Sequence, residues 1–304
     1  MSQSFFKYHL TQDEIKKGRI YFNIKLMVFM LLIPLMIGLS FYFYEKNNFL
    51  LLLLSPLMGL LWAHASGLQH ELAHGALPSR NMNRFFGILL STPFLIAFSA
   101  YRTDHAQHHV FLGTPKNNEI FTERDMKNFN FMTLLSNLFG LNFYKRIPLT
   151  LFNNLIKKHN KSIKYGKDLI LEYSLILAFI ISIIFITILF KLFVLYVYFI
   201  PIIFIGFPIK NAIEIAEHFG CNTKTQDVFK NSRVITGPFS NWISNGNSYH
   251  VSHHLYPTAP LSCTKMIHPR LEQAIEHRDS SYIHFYSKII FSFILKGEHH
   301  GKNT

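Results

Sequence analysis

Apolar residues in this chain are gathered into a few long runs. Residues 26–44 and 49–68 contain no Asp, Glu, Lys or Arg, and a helix of about twenty apolar residues crosses the ~30 Å hydrocarbon core of a bilayer. Residues 169–209 carry only two charges, Glu172 and Lys191. As one helix they would measure about 60 Å, so we expect two spans that turn near Lys191. The pattern predicts four transmembrane helices, at about 26–44, 49–68, 169–190 and 192–209.

Two further apolar segments are too short or too amphipathic to span. Residues 85–99 are interrupted by Pro93 and are typical of a re-entrant or interfacial segment. Residues 129–156 predict an interfacial helix with Lys145 and Arg146 at its polar end. No strand alternation, linker or internal repeat stands out. The sequence thus predicts an all-α integral membrane protein with a single domain, residues 1–304. Its four transmembrane helices form two hairpins beneath a cytoplasmic helical cap.

Charge predicts the orientation. The chain has 30 Lys and Arg against 17 Asp and Glu, a formal net charge of +13. All but two of the basic residues precede the first span or lie in 69–168 and 210–304, which places both termini and the cap in the cytoplasm. The basic residues form no dense run, so nucleic acid is not an expected partner. Cys221 and Cys263 have no CxxC spacing and predict no metal or redox motif.

Histidine spacing is the chemical signal of the sequence. Nine histidines form three clusters and one single position: His70 and His74; His105, His108 and His109; His218; and His250, His253 and His254. Residues three and four apart share one face of a helix, so each cluster points its imidazoles into one sector about 100° wide. One metal ion takes about four to six ligands, and nine imidazoles therefore predict two ions. Spacing alone leaves Zn, Cu, Fe and Ni open.

The cluster sequences resemble a known family. The strings HELAHG, DHAQHH and YHVSHHLYP, together with the four-span pattern, are similar to the membrane fatty acid desaturase and hydroxylase superfamily over about residues 49–270. The sequence AEHFG around His218 resembles the single-histidine element that this family places after its last span. The resemblance implies that all nine histidines hold two Fe ions in a non-haem di-iron centre that activates O2.

The resemblance also implies the reaction and the partners. We expect O2-dependent desaturation of an alkyl chain, of the fatty acyl type; the alternative is a lipid, carotenoid or sphingoid hydroxylase or ketolase on the same centre. No haem-binding segment is recognisable, so a separate electron donor, ferredoxin-like or cytochrome b5-like, is expected. A short chain without a fused donor favours the bacterial inner membrane over the endoplasmic reticulum. A metal transporter or sensor is a rival class, but it would need ionisable residues along the middle of the spans, and these are almost absent.

Several polar residues beside the histidines are candidates for supporting roles. Glu214 lies one turn before His218 on the same helical face and is the expected catalytic carboxylate, acting on the metal pair through a water molecule or by contacting one of the ligands. Further residues could orient imidazoles from behind, namely Glu71, Asp104, Glu217 and Asn247. His64, inside the second span, either lines a substrate tunnel with Trp62 or bonds to a neighbouring helix.

Overall fold

A computed structural model describes residues 9–117, 129–155, 166–222 and 224–300. Within these residues four helices are long and apolar enough to span a membrane, as predicted. The helices α1 and α2 cover Gln12–Glu45 and Leu50–Ala73. The helix α7 covers Gly166–Phe190, and the fourth candidate span, Leu195–His218, consists of a π-helical segment, Leu195–Gly206, and α8, Phe207–His218.

The first helix begins well before the apolar run that predicted it. Thr11 caps its amino terminus in a capping box with Glu14, whose carboxylate also forms a 2.5 Å ion pair with Arg270. These contacts satisfy the orphan backbone donors of the first turn. The charged residues before position 26 therefore continue the helix.

The turn between the third and fourth spans falls at Lys191, as expected. Helix α7 ends at Phe190, and Lys191 adopts a positive φ of 44°. The fourth span then runs unbroken to His218, so its last turn carries that histidine to the same end of the bundle as the last turn of α2.

Glycines bring α2 and the fourth span into close contact. A Cβ atom at Gly59 would lie 2.7 Å from the Ile205 side chain and 2.9 Å from the Pro201 carbonyl oxygen. One at Gly206 would lie 3.1 Å from Trp62 Cβ. Small residues permit such close approach of membrane helices, and this contact fixes the two helix ends that carry His70 and His218.

The segment expected to be re-entrant is a sharply bent pair of helices. Helix α3, Arg80–Ser91, continues into a 3-10 turn, Thr92–Phe94, and α4, Phe98–Phe111, follows at 100° to it. The bend lies next to Leu95, whose φ is 61°. Such a pair has the geometry of a broken or re-entrant segment, and it turns α4 away from α3.

The prediction of a single helix at 129–156 is wrong in the number of helices. The structure has two helices, α5 at Phe131–Leu138 and α6 at Leu141–Leu155. Gly140 separates them with a φ of 59°, and a Cβ atom there would lie 2.2 Å from the Phe207 ring. A left-handed backbone and the close approach to α8 both require glycine at this position.

The C-terminal third contains two short strands that the sequence did not predict. β1, Arg233–Ile235, pairs in parallel with β2, His277–Asp279. The buried Asp279 carboxylate also forms an ion pair with Arg233, with 2.7 Å between Asp279 Oδ2 and Arg233 Nη1. The helices of this part are α9, Val228–Asn231; α10, Pro238–Ile243; α11, His250–Leu255; α12, Thr264–Leu271; and α13, Tyr282–His300.

Candidate metal centre

The structure brings all nine histidines of the three clusters and the single position together, in two groups. Within each group the ligand nitrogens lie within 4.8 Å of one another. The five-histidine group consists of His70, His74, His105, His109 and His253. The four-histidine group consists of His108, His218, His250 and His254.

Each triple cluster is divided between the two groups in the same way. In α4, His105 and His109 belong to the five-histidine group, whereas His108 belongs to the four-histidine group. In α11, His250 and His254 belong to the four-histidine group, whereas His253 belongs to the five-histidine group. Residues four apart on a helix differ by about 40° in direction, whereas the residue at the third position lies about 60° to the other side. Helical geometry therefore allows each triple cluster to give two ligands to one site and one to its neighbour, and the packing of α4 against α11 decides which site receives two.

The nitrogen–nitrogen distances fit ligands around a metal ion. In the five-histidine group His105 Nε2 lies 2.9 Å from His74 Nε2 and 3.1 Å from His109 Nε2. In the four-histidine group His254 Nε2 lies 2.9 Å from His250 Nε2 and 3.3 Å from His108 Nε2. Ligands about 2.1 Å from one ion are about 3.0 Å apart at right angles and about 3.4 Å apart in a tetrahedron.

The protons on two rings show why hydrogen bonding alone does not explain these contacts. The Asn231 carbonyl oxygen, which can only accept, lies 2.7 Å from His218 Nδ1, so this nitrogen carries the proton. Likewise His250 Nδ1 donates to Asn247 Oδ1 at 3.1 Å. The Nε2 atoms of these two neutral rings then face each other with lone pairs at 3.0 Å. A cation between them would satisfy both lone pairs.

Burial keeps the imidazoles in the form that binds metal. Loss of hydration, followed by the effect of neighbouring imidazoles, lowers the pKa of His74 to about 3 and that of His109 well below its ordinary value. The same two causes, in the same order, lower the pKa of His250, His253 and His254. Neutral rings offer a lone pair to a metal ion, whereas protonated rings do not.

A chain of polar contacts orients His250 from behind. Asn247 Nδ2 donates to Glu217 Oε1 at 2.5 Å, which directs Asn247 Oδ1 toward the ring. The second carboxylate oxygen of Glu217 lies 3.5 Å from His250 Nε2. Such partners fix the tautomer and direction of a ligating histidine. The structure thus places Glu217 and Asn247 where the sequence suggested, with the amide between the carboxylate and the ring.

A cavity of about 200 Å³ opens beside both groups, lined by His70, His105, His108 and His218 among others. Glu214 lines it too but belongs to neither histidine group. Its carboxylate accepts a 2.6 Å hydrogen bond from the buried Lys210 ammonium one turn earlier. The cavity therefore contains a carboxylate close to the histidines and held by a cation.

The other candidates lie elsewhere. The Glu71 carboxylate accepts from Asn245 Nδ2 at 2.7 Å and from the Leu261 amide at 3.0 Å, so it joins the end of α2 to the loops around α11 rather than to an imidazole. Asp104 is exposed on α4. His64 Nδ1 donates to the Trp242 carbonyl at 2.6 Å, which is the helix-bonding alternative.

Some contributors were not found by sequence reasoning. Asn117 Oδ1 lies 3.2 Å from His108 Nδ1, and the Tyr101 ring stacks on His105 with centroids 5.6 Å apart. The Asn231 contact uses a backbone carbonyl, for which residue type gives no signal. Glu172 had a signal, since a carboxylate inside a span is costly unless it has partners. It accepts from Ser99 N at 2.8 Å and Ser99 Oγ at 2.6 Å, and so fixes the amino terminus of α4.

These observations define a class: a helical membrane protein with two adjacent histidine groups that fit a metal site at one end of its spans. A comparison with protein families agrees with this class. The family described as fatty acid desaturase matches residues 47–286, more than half of the chain. The chain belongs to the fatty acid desaturase family, whose members are oxidoreductases of the desaturase and hydroxylase type. A comparison with curated proteins found no significant match.

Removing the Asn247 amide should weaken metal binding without removing a ligand. In an Asn247→Ala variant we expect metal affinity to fall roughly 10- to 100-fold, because the His250 ring loses the acceptor that fixes its tautomer. Titration of the metal-free protein with Co²⁺, followed by visible absorption, measures the affinity. Asn142→Ala, at an exposed position of α6, is the matched control. Equal affinities in the two variants would contradict the orienting role.

Proposed function

We propose that this protein catalyses O2-dependent desaturation of an alkyl chain of the fatty acyl type, at a di-iron centre held by its nine clustered histidines. The observation that carries the proposal is the pair of converging histidine groups in a chain of the fatty acid desaturase family. The substrates would be a lipid or acyl chain and O2, with electrons from a separate ferredoxin-like or cytochrome b5-like donor.

The ligand set and the family together support iron. Imidazole nitrogens suit Fe, Cu and Zn, and an oxidation that consumes O2 excludes Zn because Zn has no redox chemistry. Membership of the fatty acid desaturase family favours Fe over Cu. The histidines of the five-histidine group would hold one ion and those of the four-histidine group the other. When bound, the iron pair would supply the reduction of O2 and the removal of hydrogen from an unactivated C–H bond.

Protein side chains would balance the charge of the metal ions and position the substrate. The nine imidazoles are neutral, so carboxylates must balance the charge of the ions. Glu214, in the cavity beside His218, is the candidate catalytic carboxylate, reaching the metal pair through a bound water. Lys210 holds that carboxylate on the cavity wall. The small cavity would restrict which carbon of the chain approaches the ions.

We further propose that the single domain, residues 1–304, has both termini and the histidine groups on the cytoplasmic side of a membrane. The bacterial inner membrane is favoured over the endoplasmic reticulum. The basic residues that flank the spans support this orientation. The histidine-bearing ends of α2 and of the fourth span also lie on the same side as each other.

The test is a comparison of total lipid extracts from a host that expresses this chain and one that expresses His108→Ala. Desaturation would give a species about 2 Da lighter than its precursor, and hydroxylation one about 16 Da heavier. We expect the lighter species, and we expect it to be absent from the variant because His108 belongs to the four-histidine group.

The outcome also separates the alternatives. A species about 16 Da heavier, absent from the variant, would replace desaturase by hydroxylase on the same centre. Identical products from both hosts would overturn the assignment of the reaction to the histidine site. Immunoblots of the membrane fractions establish that both chains accumulate to the same level.

A further inference from the structure

A second cavity, of about 470 Å³, lies on the side of α4 away from the histidines. Three arginines line it: Arg80 at the start of α3, Arg84 one turn later, and Arg102 in α4. Ser99, Thr103 and Gln107 add polar groups to the same wall. The reaction proposed above uses none of these residues.

The positive charge of this cavity is only partly neutralised. Arg84 is paired, with its Nη1 atom 2.8 Å from the Asp168 carboxylate and its Nε atom 3.3 Å from Glu172. Among the described residues no carboxylate lies within ion-pair distance of Arg80 or Arg102. Guanidinium groups form bidentate pairs with phosphate, and neither Arg80 nor Arg102 has a carboxylate partner in the part of the chain that the structure describes.

One part of the cavity wall is apolar. Besides Asp168, the remaining lining residues are Phe98, Ala106, Val110 and Phe111, and the Val110 side chain is 67% exposed. The exposed apolar surface beside the arginines is therefore supplied by the carboxyl-terminal half of α4. A soluble anion would gain nothing from this apolar surface, whereas a molecule with an anionic head and alkyl tails would contact both parts.

We propose that this cavity binds an anionic phospholipid, with its phosphate between Arg80 and Arg102 and its acyl chains along Val110 and Phe111 of α4. The site is distinct from the histidine groups, and its ligand is a bound lipid rather than the substrate. Basic pockets beside membrane helices recognise phospholipid head groups by this combination of charge and apolar contact.

The position of the cavity behind α4 means that a bound lipid would affect the stability of this helix. Helix α4 presents Arg102 and Ala106 to the cavity, and His105, His108 and His109 to the metal groups. A lipid bound behind α4 would therefore stabilise the helix that supplies three of the nine histidines. It would raise the unfolding temperature of the metal-loaded protein.

The experiment titrates the purified, metal-loaded, full-length protein in detergent with short-chain phosphatidylglycerol and follows the thermal unfolding midpoint. Phosphatidylcholine with the same chains and glycerol 3-phosphate are titrated in parallel. The test variant is Arg80→Gln/Arg102→Gln. The matched control is Lys145→Gln/Arg146→Gln, which removes two exposed charges from α6.

We expect phosphatidylglycerol to raise the midpoint of the wild type and of the control, and the loss of two arginines to weaken this binding roughly 30-fold. Ala106→Trp, which keeps the charges but fills the cavity, should also abolish the shift; it serves as a second variant if the double variant does not fold. The proposal is overturned if the arginine variant responds like the control. It is also overturned if phosphatidylcholine or glycerol 3-phosphate acts at the same concentration as phosphatidylglycerol.

Discussion

His109→Ala should abolish oxidation and metal retention together, with a loss of activity of at least roughly 100-fold. His109 Nε2 lies 3.1 Å from His105 Nε2 and 3.0 Å from His253 Nε2, within the five-histidine group. Its ring centroid is also 4.4 Å from that of His254, in the four-histidine group. Loss of a residue that orients a ligand lowers metal affinity or activity 10- to 100-fold. Loss of a ligand that lies between the two groups should lower both by a larger factor.

Metal stoichiometry of the purified variant, by elemental analysis, and product formation by mass spectrometry measure this effect. The control is His284→Ala, because the His284 side chain is half exposed and lies outside both groups. We expect the control to retain the wild-type metal content and products. Full metal content in His109→Ala would contradict the assignment of His109 as a ligand.

Glu172→Leu should cause the largest loss of stability, about 3 kcal/mol or more. The Glu172 carboxylate is almost fully buried and accepts hydrogen bonds from Ser99 N, Ser99 Oγ and Arg84 Nε. Leucine fills similar space but leaves these donors without an acceptor inside a buried, low-dielectric site. The amino terminus of α4 would lose its anchor, and the second histidine cluster with it.

Unfolding of the purified protein in detergent, followed by circular dichroism against denaturant, gives the change in stability. Asp168→Asn is the matched control, since Asp168 pairs with the same Arg84 but its side chain is 32% exposed. A partly exposed pair of this kind contributes about 1 kcal/mol or less. If the two variants lose equal stability, the role of Glu172 in fixing α4 is wrong.

Much of the fold could be predicted because the membrane simplifies the problem. A transmembrane helix requires only a long apolar run, and residues 49–68 and 169–209 have the length and composition of such helices. The ends of elements depend on local contacts instead. Thr11 and Glu14 extended α1 through polar residues, and Gly140 divided a predicted helix in two. Strands of three residues, such as Arg233–Ile235, are too short to show an alternating pattern.

The histidines of the site could also be predicted, but their grouping could not. Spacing shows that imidazoles in one cluster share a face, which identifies ligands without assigning them to ions. The division of His105 and His109 from His108 became visible only when α4 and α11 were packed together. The supporting contacts were harder still, because the oxygen behind His218 is the Asn231 backbone carbonyl, which every residue type possesses.

The pairing of β1 with β2 has a consequence for the biogenesis of the protein. β1 precedes the third histidine cluster and β2 follows it, so the parallel pairing closes a loop around α11. Translation completes all four spans before residues 277–279 leave the ribosome. The loop that holds His250, His253 and His254 can therefore close only after all four candidate spans have been synthesised. Metal held by this cluster would then be taken up late in the maturation of the protein.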